Sequence, residues 1–162
     1  MAQIKFPGLA EYERKLSRLS RAVKDEIAAK AIYAGADIVA DEVRSAIEGL
    51  PIVTGYGTSE HPLPGGVTAT QRQGLLDGFG IAPLRDDRGL LNVKIGFDGY
   101  NRTKTKQFPG GQPNQLVARG VESGTSWKQK HPFIRPAVTR SRKKAEAKMA
   151  EVLAQEMEKI MK

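Results

Sequence analysis

The hydrophobic pattern of the chain changes period several times, and each change marks an element. After the turn at Phe6-Pro7-Gly8, the run LAEYERKLSRLSRAV spaces Leu9, Tyr12, Leu16 and Leu19 for one face of a helix. A longer helix follows from about Ala22 to Ile47. Val23, Ile27, Ala31, Ala34 and Ile38 form one stripe, and Ile32, Ala36, Val39, Val43 and Ala46 an adjacent one. So wide an apolar face predicts burial on more than one side. The small residues Ala34, Gly35 and Ala36 allow another element to approach closely. Gly49 and Pro51 end the helix, Gly near the C-cap and Pro beyond it.

The helical period is then lost. Ile52 to Thr70 is rich in Gly, Pro, Thr and Ser and reads as a long loop. QRQGLLDGFGIAPL opens with a short turn of helix and passes into a strand over about Phe79 to Leu84, with Arg85 to Gly89 as a hairpin turn. In LLNVKIGF the period is two: Leu91, Val93, Ile95 and Phe97 alternate with Asn92, Lys94 and Gly96, predicting a strand with one buried face. Asp98 to Pro113 is a second loop, basic and full of turn residues. Asn114 is placed to cap a short helix, QLVARGVES, stopped by Gly124; a strand over Val117 to Glu122 is the alternative. A last helix runs from about Pro136 to Met161, with Pro in its first turn. Its apolar stripe is Val138, Ala145, Met149, Val152, Met157 and Ile160. Helices, then strands, then a helix make an α+β fold: long N-terminal helices, a small antiparallel sheet and a C-terminal amphipathic helix.

The length of 162 residues suits one domain with a sizeable core. No apolar run approaches the ~20 residues of a membrane span, and MAQIKFPGLAEYERKL holds no signal-peptide core. Cysteine is absent, which removes disulfides, thiolate metal sites and cysteine nucleophiles and fits synthesis in the cytoplasm. The net charge of +8 points to an acidic partner or to a solvated basic surface. The charge gathers in two places. Arg102, Lys104 and Lys106 lie in the second loop, and Arg140, Arg142, Lys143, Lys144 and Lys148 lie early on the last helix. Both are candidates for contact with phosphates or with a protein partner. Aromatic residues are few, and no helix-turn-helix, zinc-finger or stacking-platform signature occurs. That leaves a basic, nonspecific DNA-binding module as one reading of function.

The residues nominate no catalytic, cofactor-binding or metal-ligating set. His61 and His131 each precede a proline and lack adjoining carboxylates, a poor start for a metal site. Their contexts echo one another: Gly57-Thr58-Ser59 leads to His61-Pro62, and Gly124-Thr125-Ser126 leads to His131-Pro132. Neither a nucleophile elbow nor a phosphate loop is present. A hydrolase using Glu122 and His131 is a further reading, set against Glu122 as an acceptor for turn N–H groups.

The densest stretch is Val121 to Val138. Gly124 permits a turn that a β-carbon would oppose. Thr125 and Ser126 can satisfy local backbone groups, and Pro132 and Pro136 restrict the chain. Phe133 and Ile134 are expected to anchor the connection in the core, and Arg135 to pair with Glu122. Trp127 is either an exposed interface anchor or partly buried in its own domain.

The run Val121-Glu122-Ser123-Gly124-Thr125-Ser126, continued by His131-Pro132-Phe133-Ile134-Arg135-Pro136-Ala137, closely resembles a "VE-x-GT-S … PF-[LI]-RPA" signature. It is that of the minor tail component or head–tail joining family of long-tailed bacteriophages. There too the motif runs into a terminal amphipathic helix. A central "TG-x-L" stretch of that family has its nearest match in Gln71-Arg72-Gln73-Gly74-Leu75-Leu76. The chain departs in having Ser123 where an aromatic is usual, and the long Ile52-to-Thr70 loop where a short "P-x-DTG" link is usual. The resemblance implies one domain over residues 1–162 and a structural virion protein, not an enzyme, that needs no cofactor. It implies a self-assembled ring, hexameric by expectation, for neck formation, tail completion or tail termination, in contact with tail-tube and head-connector proteins, in a virion built in the host cytoplasm. The Ile52-to-Thr70 and Asp98-to-Pro113 loops are expected to order only on assembly.

Overall fold

The structure is a computed structural model, and it describes Ser17 and residues 20–161. The helix expected over Leu9 to Leu19 falls outside the described residues, Ser17 excepted. The described fold is α+β, with four helices and two small antiparallel sheets. Helix α1 spans Arg21–Glu48 and α2 spans Ala69–Gly78. Strands β1 (Phe79–Ile81), β2 (Arg85–Asp87), β3 (Leu90–Asn92) and β4 (Ile95–Phe97) follow. Then come α3 (Asn114–Ser123) and α4 (Ile134–Met161). Among the described residues no helix is long and apolar enough to cross a membrane.

Helices α1 and α4 pack along their lengths as an antiparallel pair. Ser20 starts α1, its Oγ accepting from Val23 N at 3.4 Å, and Gly49 ends it. The buried line is Ile27, Ala31, Gly35, Ala36, Ala40, Val43 and Ile47. It runs between the two stripes expected from the sequence. Gly35 leaves room for the partner helix: a β-carbon there would lie 2.5 Å from Met149 Cγ and 3.4 Å from the Ala145 carbonyl oxygen. Arg140–Glu42 (2.8 Å) and Lys30–Glu156 (2.9 Å) bridge the pair at its two ends. These pairs are exposed, so they set register more than stability.

The stripe expected on α4 is rotated in the structure. Ala145 and Met157 are buried as expected, but Val138 and Ile160 are exposed. The buried line is completed by Ala137 and Ser141. Ser141 is tolerated there because its hydroxyl donates to the Ala137 carbonyl at 2.8 Å. A polar residue on the buried line hides the true phase from an apolar count.

Helix α2 is longer than the single turn expected. Thr68 and Gln71 form a capping box: Thr68 Oγ1 accepts from Gln71 N, and Gln71 Oε1 from Thr68 N. The strand expected to reach Leu84 stops at Ile81, and the one expected over Leu90 to Phe97 is broken at Val93 and Lys94. A one-residue bulge explains both. The last ladder bond runs from Ala82 N to the Lys94 carbonyl at 2.8 Å; the next donor in the alternation, Leu84 N, instead donates to Tyr33 Oη at 2.7 Å, and the register slips by one residue. Pairing then resumes as β2 with β3. Arg85 to Asp87 is therefore strand, and the turn is only Arg88-Gly89, with φ of 59° and 87°. Strand β1 pairs β4 in register Phe79↔Phe97, Gly80↔Gly96 and Ile81↔Ile95.

Neither Gly80 nor Gly96 is required by packing, since nothing lies within 4 Å of a β-carbon built on either. Gly96→Val is expected to raise the unfolding free energy by about 0.5–1 kcal/mol, because glycine weakens a strand interior. An unchanged or lower urea midpoint would contradict this.

The core joins all layers. Val43, Ile47, Leu50, Val67, Leu75, Phe79, Val121 and Phe133 belong to one buried cluster. Fully burying each such large side chain is worth about 1.5–3 kcal/mol. Phe79, Phe97 and Phe133 stack across it, with centroid separations of 5.2 Å and 6.3 Å.

Both long loops carry backbone hydrogen bonds within the single chain. Val53 N donates to the Val67 carbonyl at 2.8 Å, and Val67 N to the Pro51 carbonyl at 3.0 Å. In the second loop Asn101 N donates to the Gln112 carbonyl, and Gln112 N to the Thr103 carbonyl, both at 2.9 Å.

Candidate functional site

The Val121-to-Val138 stretch folds as a joint between α3 and α4. Helix α3 confirms the helical reading of QLVARGVES over the strand alternative, but Asn114 does not cap it. Pro113 holds that position, and Asn114 is the first helical residue, buried. Its amide donates to the Asp98 carbonyl at 2.8 Å, and its N–H to the Gly99 carbonyl at 3.0 Å, pinning the second loop.

Gly124 turns the chain out of α3 with φ of 77°. A tight turn follows, closed by Thr125 N to the Lys128 carbonyl at 2.8 Å. The backbone closes it, not the Thr125 and Ser126 hydroxyls expected to do so; neither hydroxyl has a hydrogen bond among the described residues. Trp127 stands in this turn, 57% exposed, which settles its two readings in favour of exposure. His131 N donates to the Val121 carbonyl at 2.7 Å and brings the chain back beside α3.

There the Glu122 carboxylate meets the start of α4. Oε2 accepts from Phe133 N at 2.8 Å and Ile134 N at 2.9 Å, and Oε1 from Arg135 N at 3.1 Å. A helix leaves its first four N–H groups without intrahelical partners. In α4 three of them are on Glu122, and the fourth position is Pro136, which has no N–H. The first intrahelical donor is Ala137 N, to the Phe133 carbonyl at 3.3 Å. Every orphan donor of this helix is thus accounted for by two residues of the motif. The negative carboxylate also sits at the positive end of the helix dipole.

Burial pushes the Glu122 carboxyl upward. The N–H groups of Ile134, Phe133 and Arg135, with the Arg135 charge, outweigh burial and hold it below the ordinary range. The expected Glu122–Arg135 pairing is corrected in form: the short contact is with the Arg135 backbone N–H, and its guanidinium acts only through longer-range charge. The expectation that Glu122 accepts turn N–H groups holds in kind. The donors are those of α4, not of the adjacent Gly turn. Phe133 is buried, as an anchor should be, and Ile134 packs against the core.

Pro136→Ala would add a fourth N–H to the three that already converge on the carboxylate, and would loosen the unfolded chain. It is expected to lower stability by about 0.4–1 kcal/mol, measured as a drop in urea midpoint.

The sequence echo between the two Gly-Thr-Ser segments has a spatial counterpart. Leu63 N donates to the Trp127 carbonyl at 2.9 Å, and Gln129 N to the Leu63 carbonyl at 2.8 Å. The first loop is thereby stitched to the turn that carries Trp127. Gly57 packs against the Trp127 carbonyl, and a β-carbon on Gly65 would lie 2.6 Å from His131 Cβ. Lys128 Nζ reaches the Gly66 carbonyl at 3.2 Å, and burial lowers its amine pKa. Leu63, Gly65 and Lys128 carry no sequence signal of this contact; only the repeated Gly-Thr-Ser and His-Pro pairs, Gly57 among them, hinted at it. Tyr56, fully exposed, adds a second aromatic beside Gly57.

The basic residues are placed differently. Arg140 is engaged by Glu42, and Arg142 stands 4.0 Å from Glu146. Lys143 and Lys144 are exposed on α4, and Arg102, Lys104 and Lys106 are exposed on the second loop. His61 and His131 are exposed; among the described residues no His, Asp and Glu gather into a metal-holding group. Neither a protein-family model, nor a curated protein, nor a solved structure matches the chain.

Proposed function

We propose that the chain is a structural virion protein of a long-tailed phage. It forms a ring at the head–tail interface that joins the tail tube to the head connector. The observation that carries the reading is the joint itself. The motif residues that resemble the head–tail joining signature act as one mechanical unit: Glu122 and Pro136 complete the start of α4, Phe133 fixes it in the core, and Gly124 reverses the chain. Both oxygens of Glu122 accept from backbone donors, which supports a structural role for this carboxylate. The same unit presents Trp127 on a turn held by Leu63, a rigid mount for an interface anchor. Identical subunits joined head to tail close into a ring when the rotation per subunit permits, and six is the expected number.

Immunogold labelling of purified virions with an antibody to the chain tests the reading. Label concentrated where head meets tail is the expected result. Absence of the chain from purified particles would overturn it.

A further inference from the structure

We infer that the Tyr100-to-Lys106 edge of the second loop is a contact site for nucleic-acid phosphates. Exposure along this edge alternates. Tyr100, Arg102, Lys104 and Lys106 are exposed, while Asn101 is buried and Thr103 and Thr105 are half-buried. The cations therefore project from one side of the chain, two residues apart, at most ~7 Å between neighbours along the backbone. That spacing is close to the through-space separation of successive phosphates on one strand.

The edge is also held still. Asn101 Oδ1 accepts from Thr103 N at 2.9 Å, Gln112 closes the opposite side of the loop, and Thr105 and Phe108 exchange backbone bonds at 3.1 Å. Behind it, Gly74 and Gly111 pack against Asn101, where a β-carbon on either would collide. Long cationic side chains on a fixed backbone lose less freedom on binding than a free arm would. The row is a built comb and not the mobile arm its composition suggests.

None of the three cations has an ion-pair partner among the described residues. The basic face of α4 is partly neutralised, since Glu42 takes Arg140, Glu151 takes Lys148 and Glu146 stands by Arg142, leaving only Lys143 and Lys144 of its five cations unpaired among the described residues. Asp98, the nearest acid along the loop, is turned onto its own neighbour, Oδ1 accepting from Gly99 N at 2.7 Å. Charge complementarity therefore favours a polyanion at the loop over one at α4. Tyr100, 71% exposed at the end of the row, offers a ring to a sugar or base. This site stands independently of the ring role and of its partners.

The test is fluorescence anisotropy of the full chain with a short labelled duplex, and with one of its strands, over a range of salt. Three variants are compared with the wild type: the loop triple Arg102→Gln/Lys104→Gln/Lys106→Gln, the α4 triple Arg142→Gln/Lys143→Gln/Lys144→Gln, and Tyr100→Ala. Each phosphate contact contributes ~0.9 to the slope of log affinity against log salt. The loop triple is expected to flatten the duplex slope by ~2.7, with unchanged thermal stability, and the α4 triple to leave it nearly intact. Tyr100→Ala should weaken the single strand more than the duplex. Three results would each overturn the assignment: no nucleic-acid binding at low salt, equal slopes for loop triple and wild type, or binding to poly-aspartate without binding to nucleic acid.

Discussion

Phe133→Ala is expected to lower the unfolding free energy by about 3–5 kcal/mol, the largest single effect among the motif residues. Phe133 is 4% exposed, packs edge-on to Phe97 and belongs to the cluster that contains Val121 and Ala137. Its removal leaves a cavity where the sheet, α3 and α4 meet. It also detaches the residue whose N–H is the first donor to Glu122. A domain of this size has roughly 5–15 kcal/mol in total, so the variant would sit near the edge of folding. Urea denaturation followed by circular dichroism measures the effect. A loss below about 1 kcal/mol would mean that the joint does not hold the core.

Glu122→Ala is expected to cost about 2–3 kcal/mol, because three backbone donors lose a charged acceptor at once. Glu122→Gln should fall between wild type and alanine, since an amide offers one acceptor oxygen and no charge. The effect depends on pH, and its sign follows from the depressed carboxyl. The stability that Glu122 contributes is fully present above the ordinary carboxyl range near 4.5. It is lost as pH falls through the lower folded-state value. The gap between wild type and Glu122→Ala should therefore be wide at pH 7 and close in acid. A hydrolase using Glu122 as a base would instead leave the alanine variant as stable as the wild type. A gap that stays constant down to strongly acid pH would show that the carboxylate charge is not what holds α4.

Much of the fold was legible because it is written in local pattern. The 3.6 period placed α1 and α4 to within a few residues, turn and cap residues placed α3, and Gly49 and Gly124 marked true helix ends. The parts that were not legible depend on contacts distant in sequence. Glu122 caps a helix that begins twelve residues later, and no short-range signal says that the chain returns to it. Leu63 stitches the first loop to the Trp127 turn across more than sixty residues, so a stretch rich in Gly and Pro looked free when it is pinned. The break in the ribbon depends on a distant contact too, since Leu84 N leaves the ladder for the Tyr33 hydroxyl. The alternation of Leu91, Val93, Ile95 and Phe97 masked it, because that pattern runs unbroken through the gap. At the site, Gly124, Phe133 and Pro136 showed their roles directly. Glu122 showed its chemistry as an acceptor but not its target. Asn114 was legible as a helix-start residue, while its buried bond to Asp98 required the fold.

In the proposed role these features would connect the motif to assembly by a mechanical route. A helix whose first turn is fully satisfied leaves the joint in a defined direction, and the Trp127 turn is fixed against the same joint through Leu63. Mutations that weaken the joint should therefore disturb the position of α4 and of the exposed aromatic together. The measurement that bears most directly on the proposed role is deletion of the gene from the genome that encodes the chain, followed by electron microscopy of the particles it yields. The account predicts full heads and finished tails lying separate, restored to joined particles by the wild-type gene in trans. Normal, infectious particles from the deletion would contradict it.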